Sequence, residues 1–257
     1  MTDHSIHLSI DGPVARLTLN RPDKRNALSE AMWAAIPGLL AEAEAAGVRV
    51  LVVTGTGGHF AAGADISEFE EVYATPERAA AYSKTIAAAL DGLAAFPVPV
   101  IARIEGACVG GGYALALACD LRFAAHGARF AITPGKLGLL YPFNDLKRLV
   151  DLAGISTAKD LLFTARIVEA DEALALGLID RLEAPEALET RVADYVEMIL
   201  SGSPRSARAT KAMLALIARG QAEDDEATRA MFLEAFSSAD FDEGYRAFLE
   251  KRKPRFS

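Results

Sequence analysis

Two glycine-bearing stretches hold the residues best suited to chemistry: Gly55-Thr-Gly-Gly-His-Phe-Ala-Ala-Gly-Ala-Asp-Ile66 and Val109-Gly-Gly-Gly-Tyr-Ala-Leu-Ala-Leu-Ala-Cys-Asp120. Each follows an apolar, strand-like run, and the second leads into a helix-forming run. Glycine lets the backbone approach a ligand closely, and the free N–H groups at the start of a helix attract negative charge. Two such turns brought together would aim two amide donors at one oxygen atom. On this reading the N–H groups of Ala64 and Gly111 hold a carbonyl oxygen as it turns anionic, which is the arrangement of an oxyanion hole. The bland alternative is a pair of tight turns in which glycine only permits close packing.

Other chemistry is less well served. No Gly-x-Gly-x-x-Gly follows the first strand and no Walker A sequence is present, so a dinucleotide site is disfavoured. Cys108 precedes the glycine run where a nucleophile could sit. With no His partner placed by sequence, it reads as a small buried hydrophobe. His59 reads as an exposed turn residue. His4, His7 and His126 lack ligand spacing with Cys, Asp or Glu, so no metal site is expected. Lys24 and Arg25 follow a Pro turn, and Lys251, Arg252 and Lys253 crowd the C-terminus. These read as solvated surface and are also natural places to meet phosphates.

The elements that must position the two glycine turns alternate. Ile6 to Ile10 and Val14 to Leu19 read as strands joined by an Asp11-Gly12 turn. A loop through Asn26 leads to a helix from Ser29 to about Ala46, ended by Gly47, and Val48 to Thr54 is a buried strand. A helix from about Pro76 to Ala95, a strand from Val98 to Ile104, a helix after Gly112 and a strand from Leu121 to Ala125 follow. Strands alternating with helices of this length imply right-handed crossovers and a largely parallel sheet, an α/β fold. Beyond Asp145 the segments 145–153, 156–163, 171–177, 186–200, 204–219 and 223–236 look helical. The expected division is a core over 1–200 and a helical region over 201–257 serving as lid or oligomer interface.

Composition narrows the setting. The chain has 257 residues, 51% hydrophobic and 24% charged, enough for a substantial core. A formal charge of −8 argues against general nucleic-acid or anionic-membrane binding. Cys108 and Cys119 make no disulfide framework and suit a reducing compartment. The N-terminus lacks the pattern of a secretory signal, and the longest uncharged run, Gly106 to Cys119, is too short to span a bilayer. A cytoplasmic protein with no membrane and no nucleic-acid partner is expected.

The motifs resemble the crotonase group, the enoyl-CoA hydratase/isomerase family. The resemblance runs through Asn20-Arg-Pro-Asp-Lys-Arg-Asn-Ala-Leu28, Phe60 to Ile66, Gly110 to Gly112, Leu137-Gly138, Ala170 to Asp180 and Glu243 to Arg252. It implies a crotonase spiral of ββα units with a helical C-terminal region, assembled as a homotrimer or a dimer of trimers. It also implies an acyl-CoA thioester as ligand, with no cofactor apart from the coenzyme A of the substrate. By position, Ala64 and Gly111 are similar to the amides that stabilise the thioester enolate. Arg25, Ala27, Asp65 and Ile66 fall where the family holds the nucleotide end of CoA. Phe248 and Lys251 match residues that reach the CoA of a neighbouring subunit.

The departures from that pattern concern proton transfer. Hydratases of the family use two glutamates, and the matching positions here hold Ala114 and Pro134, which cannot move protons. Thr133-Pro134 with Tyr141 resembles the methylmalonyl-CoA decarboxylase branch, and Pro142-Phe143 the mitochondrial-type enoyl-CoA isomerases. Tyr141 is a hydrogen-bond donor or acid before it is a base. Asp145 is the other acid–base candidate in this loop, and as the start of a helix it reads more readily as an N-cap. Decarboxylation or double-bond isomerisation through a stabilised enolate is expected. The alternatives are ordinary hydration with non-glutamate groups and a non-catalytic acyl-CoA-binding subunit.

Overall fold

A computed structural model describes residues 5–256, so His4 and the first residues lie outside it. The chain begins with a hairpin, β1 (Ile6–Asp11) and β2 (Val14–Leu19), closed by Gly12 at φ +53 with Asp11 opposite Val14. Ser29 Oγ accepts from Met32 N and starts α1 (Glu30–Ala45), whose buried side chains Met32, Trp33, Ile36, Leu40 and Ala43 recur at helical spacing. The apolar run of β3 (Val50–Gly55) is buried on both faces, as a central parallel strand requires. The first glycine stretch leads into a short α2 (Phe69–Val72) and a long α3 (Pro76–Ala94). Then come β4 (Val100–Ile104), β5 (Ala107–Val109), α4 (Gly111–Ala118), β6 (Leu121–Ala125) and β7 (Arg129–Ala131).

The second half holds α5 (Phe143–Thr164), β8 (Val168–Glu169), α6 (Ala170–Ala175), β9 (Arg181–Glu183), α7 (Pro185–Leu200), α8 (Pro204–Ala218), α9 (Glu226–Phe236) and α10 (Ala239–Glu250). Six strands form one sheet in the order β1-β2-β3-β4-β6-β9, parallel everywhere except the opening hairpin. A smaller sheet, β5-β7-β8, is built from β5 and β7, which follow β4 and β6 after short turns and pair in parallel, with β8 from beyond α5 added antiparallel to β7. Each repeat is therefore strand, strand, helix. Isolated bridges Leu28–Ala64 and Ala61–Cys108 extend the pattern into the loops after β2 and β3. α7 buries Leu188, Val192 and Val196 against Val52, Ile101 and Phe123 on the outer face of the large sheet.

Several details correct the sequence-based expectations. The strand expected from Val98 begins at Val100, because Pro97 and Pro99 lack the N–H a ladder needs. The segments 145–153 and 156–163 merge into α5, which breaks locally at Gly154 with φ +80. β5, β7, β8, β9 and α10 were not anticipated.

Candidate active site

The small sheet and its bridges set the two glycine turns side by side. Ala61 N donates to Ala107 O, Val109 N to Ala61 O, Leu28 N to Gly63 O and Gly110 N to Ala131 O. Gly63 at φ +112 and Gly110 at φ +53 occupy conformations that only glycine adopts cheaply. The three glycines at 110–112 have different tasks. A Cβ on Gly112 would lie 2.3 Å from Ala61 O, so that residue is closed to any side chain by packing. A Cβ on Gly111 would lie 3.4 Å from Ala64 N, which places the two turns in contact. Neither Ala64 N–H nor Gly111 N–H has a hydrogen-bond acceptor among the described residues. Gly111 is also the first residue of α4, where the helix dipole adds positive potential.

Both residues line a cavity of about 540 Å³, the one into which Tyr141, Ala114, Pro134, Asp145 and Ile66 also face. The wall is largely apolar, with Trp33 from α1 and Tyr82, Ile86 and Leu90 from α3. Ala114 and Pro134 thus contribute surface without any titratable group. Tyr141 is buried, and its hydroxyl donates to Gly110 O at 3.5 Å. Burial pushes that hydroxyl well above its ordinary pKa, and the Asp145 charge adds to the rise, so Tyr141 stays a donor at neutral pH.

Asp145 is not an N-cap. Pro142 holds that position and Asp145 lies a turn inside α5, only 2% exposed. Its Oδ1 accepts from Arg148 Nη1 at 2.7 Å, and Arg148 also reaches Asp91, which accepts from Asn144. Burial raises the Asp145 pKa, Arg148 opposes the rise and Asp91 assists it. The cavity wall therefore contains a buried carboxyl whose pKa is shifted upward, at a position the sequence offered as an acid–base candidate and, more readily, as a cap.

The expected CoA residues fare unevenly. Ile66 lies at the cavity, and Arg25 is exposed in a left-handed conformation at φ +49. Ala27 is half-buried, and its carbonyl accepts from Arg21 Nη1. Asp65 is buried and spends its carboxylate on Arg21, Lys24 and Ser67. Phe248 and Lys251, at the end of α10, are not among the residues lining the cavity of their own chain.

Sequence reasoning missed Asn26. It is fully buried at φ +57, its Oδ1 accepts from Arg21 N, and its Nδ2 donates to Thr56 O and His59 O. It ties the loop after β2 to the first glycine stretch. The only sequence signal was an Asn in a turn-rich run, where left-handed backbone is tolerated. His59 is half-buried rather than exposed, with Nδ1 accepting from Ala107 N. Cys108 is buried, and burial raises its thiol far above the range of a nucleophile. Among the described residues no group of three or more His, Cys, Asp or Glu side chains could hold a metal ion, and no helix is long and apolar enough to cross a membrane.

A model of the family described as enoyl-CoA hydratase/isomerase matches residues 9–257. A crotonyl-CoA hydratase from Syntrophomonas wolfei is 35% identical over 265 residues, spanning 100% of this chain and 99% of that protein. A short-chain-enoyl-CoA hydratase from Clostridium acetobutylicum is 34% identical over 256 residues, spanning 97% and 96% respectively. A solved structure from Hyphomonas neptunium, assigned to the enoyl-CoA hydratase/isomerase family, matches with a TM-score of 0.96 at 49% identity, over 98% of this chain and 97% of that one.

Proposed function

The chain belongs to the enoyl-CoA hydratase/isomerase family, and we propose that within it this protein adds water to a 2-enoyl-CoA thioester. Its fold is the crotonase α/β spiral of ββα units, and the family acts on acyl-CoA. In the proposed reaction the water oxygen bonds to C3 and the double-bond electrons move onto the thioester oxygen. Ala64 and Gly111 N–H stabilise that enolate. A proton then returns to C2. The observation that carries the reading is the pair of unpartnered amides meeting at one cavity wall. Asp145, the carboxyl lining the same cavity, is assigned the proton transfer: it takes the proton the attacking water gives up and returns one to C2.

The names of the relatives favour hydration over the decarboxylation or isomerisation expected from the sequence. Double-bond isomerisation stands as a second reading on one observation: Ala114 and Pro134 leave Asp145 without a second acid at the family's positions. A single carboxyl can carry a proton from one acyl carbon to another. Ile66 and the Arg21–Lys24–Asp65 cluster are assigned to the CoA side of the cavity, together with Arg25 and Ala27. Phe248 and Lys251 are assigned to the CoA of a neighbouring copy in a trimer or dimer of trimers. A cytoplasmic setting accords with two unpaired, buried thiols.

The test is incubation with enoyl-, 3-hydroxyacyl- and malonyl-type CoA esters followed by mass spectrometry. Gain of one water by the enoyl ester is expected. Asp145→Asn should lower kcat/KM by roughly 100- to 10,000-fold while acyl-CoA binding persists. Binding without turnover, loss of CO₂ or a shifted double bond would each replace hydration by the corresponding alternative.

A further inference from the structure

The Asp145 carboxylate keeps one oxygen occupied and leaves the other to the cavity. Oδ1 accepts from Arg148 Nη1 at 2.7 Å. Oδ2 has no hydrogen-bond partner among the described residues, yet it is not among the unpartnered atoms sealed from solvent. Since Asp145 lines the cavity, Oδ2 is the oxygen a ligand can meet. The backbone beneath it is fixed as well, because Asp145 N donates to Pro142 O at 3.0 Å.

The same guanidinium turns Nη2 to Asp91 on α3, and Asn144 Nδ2 donates to Asp91 at 3.3 Å. An exposed ion pair within one turn of a helix is worth little. This one is enclosed: the Asp145 side chain is 3% exposed and that of Arg148 19%. Burying two charges in a largely apolar wall costs more than apolar side chains of similar size would. What the ionic version adds is position and chemistry. The planar fork of arginine ties Asp145 to α3, the helix that supplies Tyr82, Ile86 and Leu90 to the cavity wall.

The cation is also shared. A carboxylate with a cation to itself is a weak base, because its charged form is favoured. Here Asp91 draws on the same guanidinium, so the cluster carries one net negative charge until Asp145 takes a proton. Burial raises the Asp145 pKa, Arg148 lowers it and Asp91 raises it again. The other groups nearby do not compete for that proton. Tyr141, in the loop before α5, stays protonated. α4 turns Ala114 to the cavity, its Tyr113 hydroxyl donates to Leu178 O, and Lys147 on α5 is engaged by Asp151 and Ala218 O.

We propose that Arg148 and Asp91 are positioning residues for the reaction: Arg148 pins Asp145 Oδ1 so that Oδ2 meets the attacking water, and Asp91, by sharing the cation, keeps Asp145 able to take and release a proton. The assignment rests on the proton-transfer role given to Asp145 above and deepens it.

Hydration of crotonyl-CoA followed across pH tests it on the wild type, Asp145→Asn, Arg148→Gln, Arg148→Lys and Asp91→Asn. Arg148→Gln should lower kcat by about 10- to 100-fold with KM within about twofold, the mark of a misplaced group in an intact binding site. The acid limb of kcat/KM should move to higher pH in Arg148→Gln and to lower pH in Asp91→Asn, since one loses the cation and the other its competitor. Loss of packing alone would not move the two in opposite directions. Arg148→Lys keeps the charge without the fork, so it should hold the limb in place and recover only part of kcat. An unchanged kcat and limb in Arg148→Gln, or shifts of the same sign in both variants, would overturn the positioning role. Should Arg148→Gln not fold, Asp91→Asn, at a half-exposed side chain, decides alone, and an unmoved limb there overturns it. Wild-type turnover in Asp145→Asn, or no turnover in the wild type, would remove the proton-transfer reading itself, and this assignment with it.

Discussion

Asp65 shows how a single carboxylate orders the rim of the cavity. Burial by itself would raise its pKa, but hydrogen bonds from Ser67, Arg21 and Lys24 hold the carboxyl far below the usual carboxylate range. The folded-state pKa lies beneath the unfolded one, so the stabilisation is present above about pH 4 and fades as acid protonates the folded form. Asp65→Asn should lower unfolding free energy by about 1–3 kcal/mol at pH 7, and urea titrations should show the gap closing toward pH 2. A gap that is constant with pH would refute the charge-based account. At this scale the sequence announced Ala64 and Gly111, because glycines clustered at strand ends mark turns that need unusual backbone. It hid Asn26, whose partners Arg21, Thr56 and His59 belong to segments joined only by folding. Asp145 was misplaced because its role depends on where α5 starts, and that start is set by Pro142.

Among the elements, α8 is attached by a charge rather than by a buried stripe. None of its side chains is buried, and Lys211 Nζ donates to Val98 O at 2.9 Å and to Asp120 Oδ2 at 2.6 Å. Burial raises the Asp120 pKa, and Lys211 opposes that rise. Lys211→Met would leave the Asp120 carboxylate half-enclosed without its cation. The expected result is a loss of about 1 kcal/mol in denaturant unfolding, since solvent screens the partly exposed pair, with amide exchange in α8 rising before that of β3. Unchanged protection in α8 would show that other contacts hold the helix. The long helices and β3 were legible because each carries several turns or a full apolar run. β5 and β7 span only three residues each, too few for a period-two pattern to emerge, and they pair because β4 and β6 deliver them to one another. Those short strands align the two glycine turns, so the part of the fold that builds the site was the part least visible in sequence.

Across the whole molecule, α9 and α10 leave a run of aromatic side chains in solvent. Phe232, Phe236, Phe241 and Tyr245 follow one another in ring contact, and Phe248 beyond them is 83% exposed. Continuous apolar surface of this kind marks a place for protein contact. Light scattering after gel filtration should give three or six times the 27.3 kDa chain mass. Phe232→Glu together with Phe236→Glu should shift the population toward the single chain, and a wild type that is monomeric at micromolar concentration would refute assembly. The alternation of strands and helices disclosed the α/β class and its parallel order. It could not disclose this surface, because isolated apolar residues on a helix look the same whether a neighbour of the same chain or another copy covers them. The amides of Ala64 and Gly111 carry one more consequence, because they belong to the peptide backbone. No codon change can delete either N–H short of proline or a reshaped turn. If these amides hold the thioester oxygen as proposed, heredity can rewrite the surrounding walls freely while that station passes unaltered from one specificity to the next.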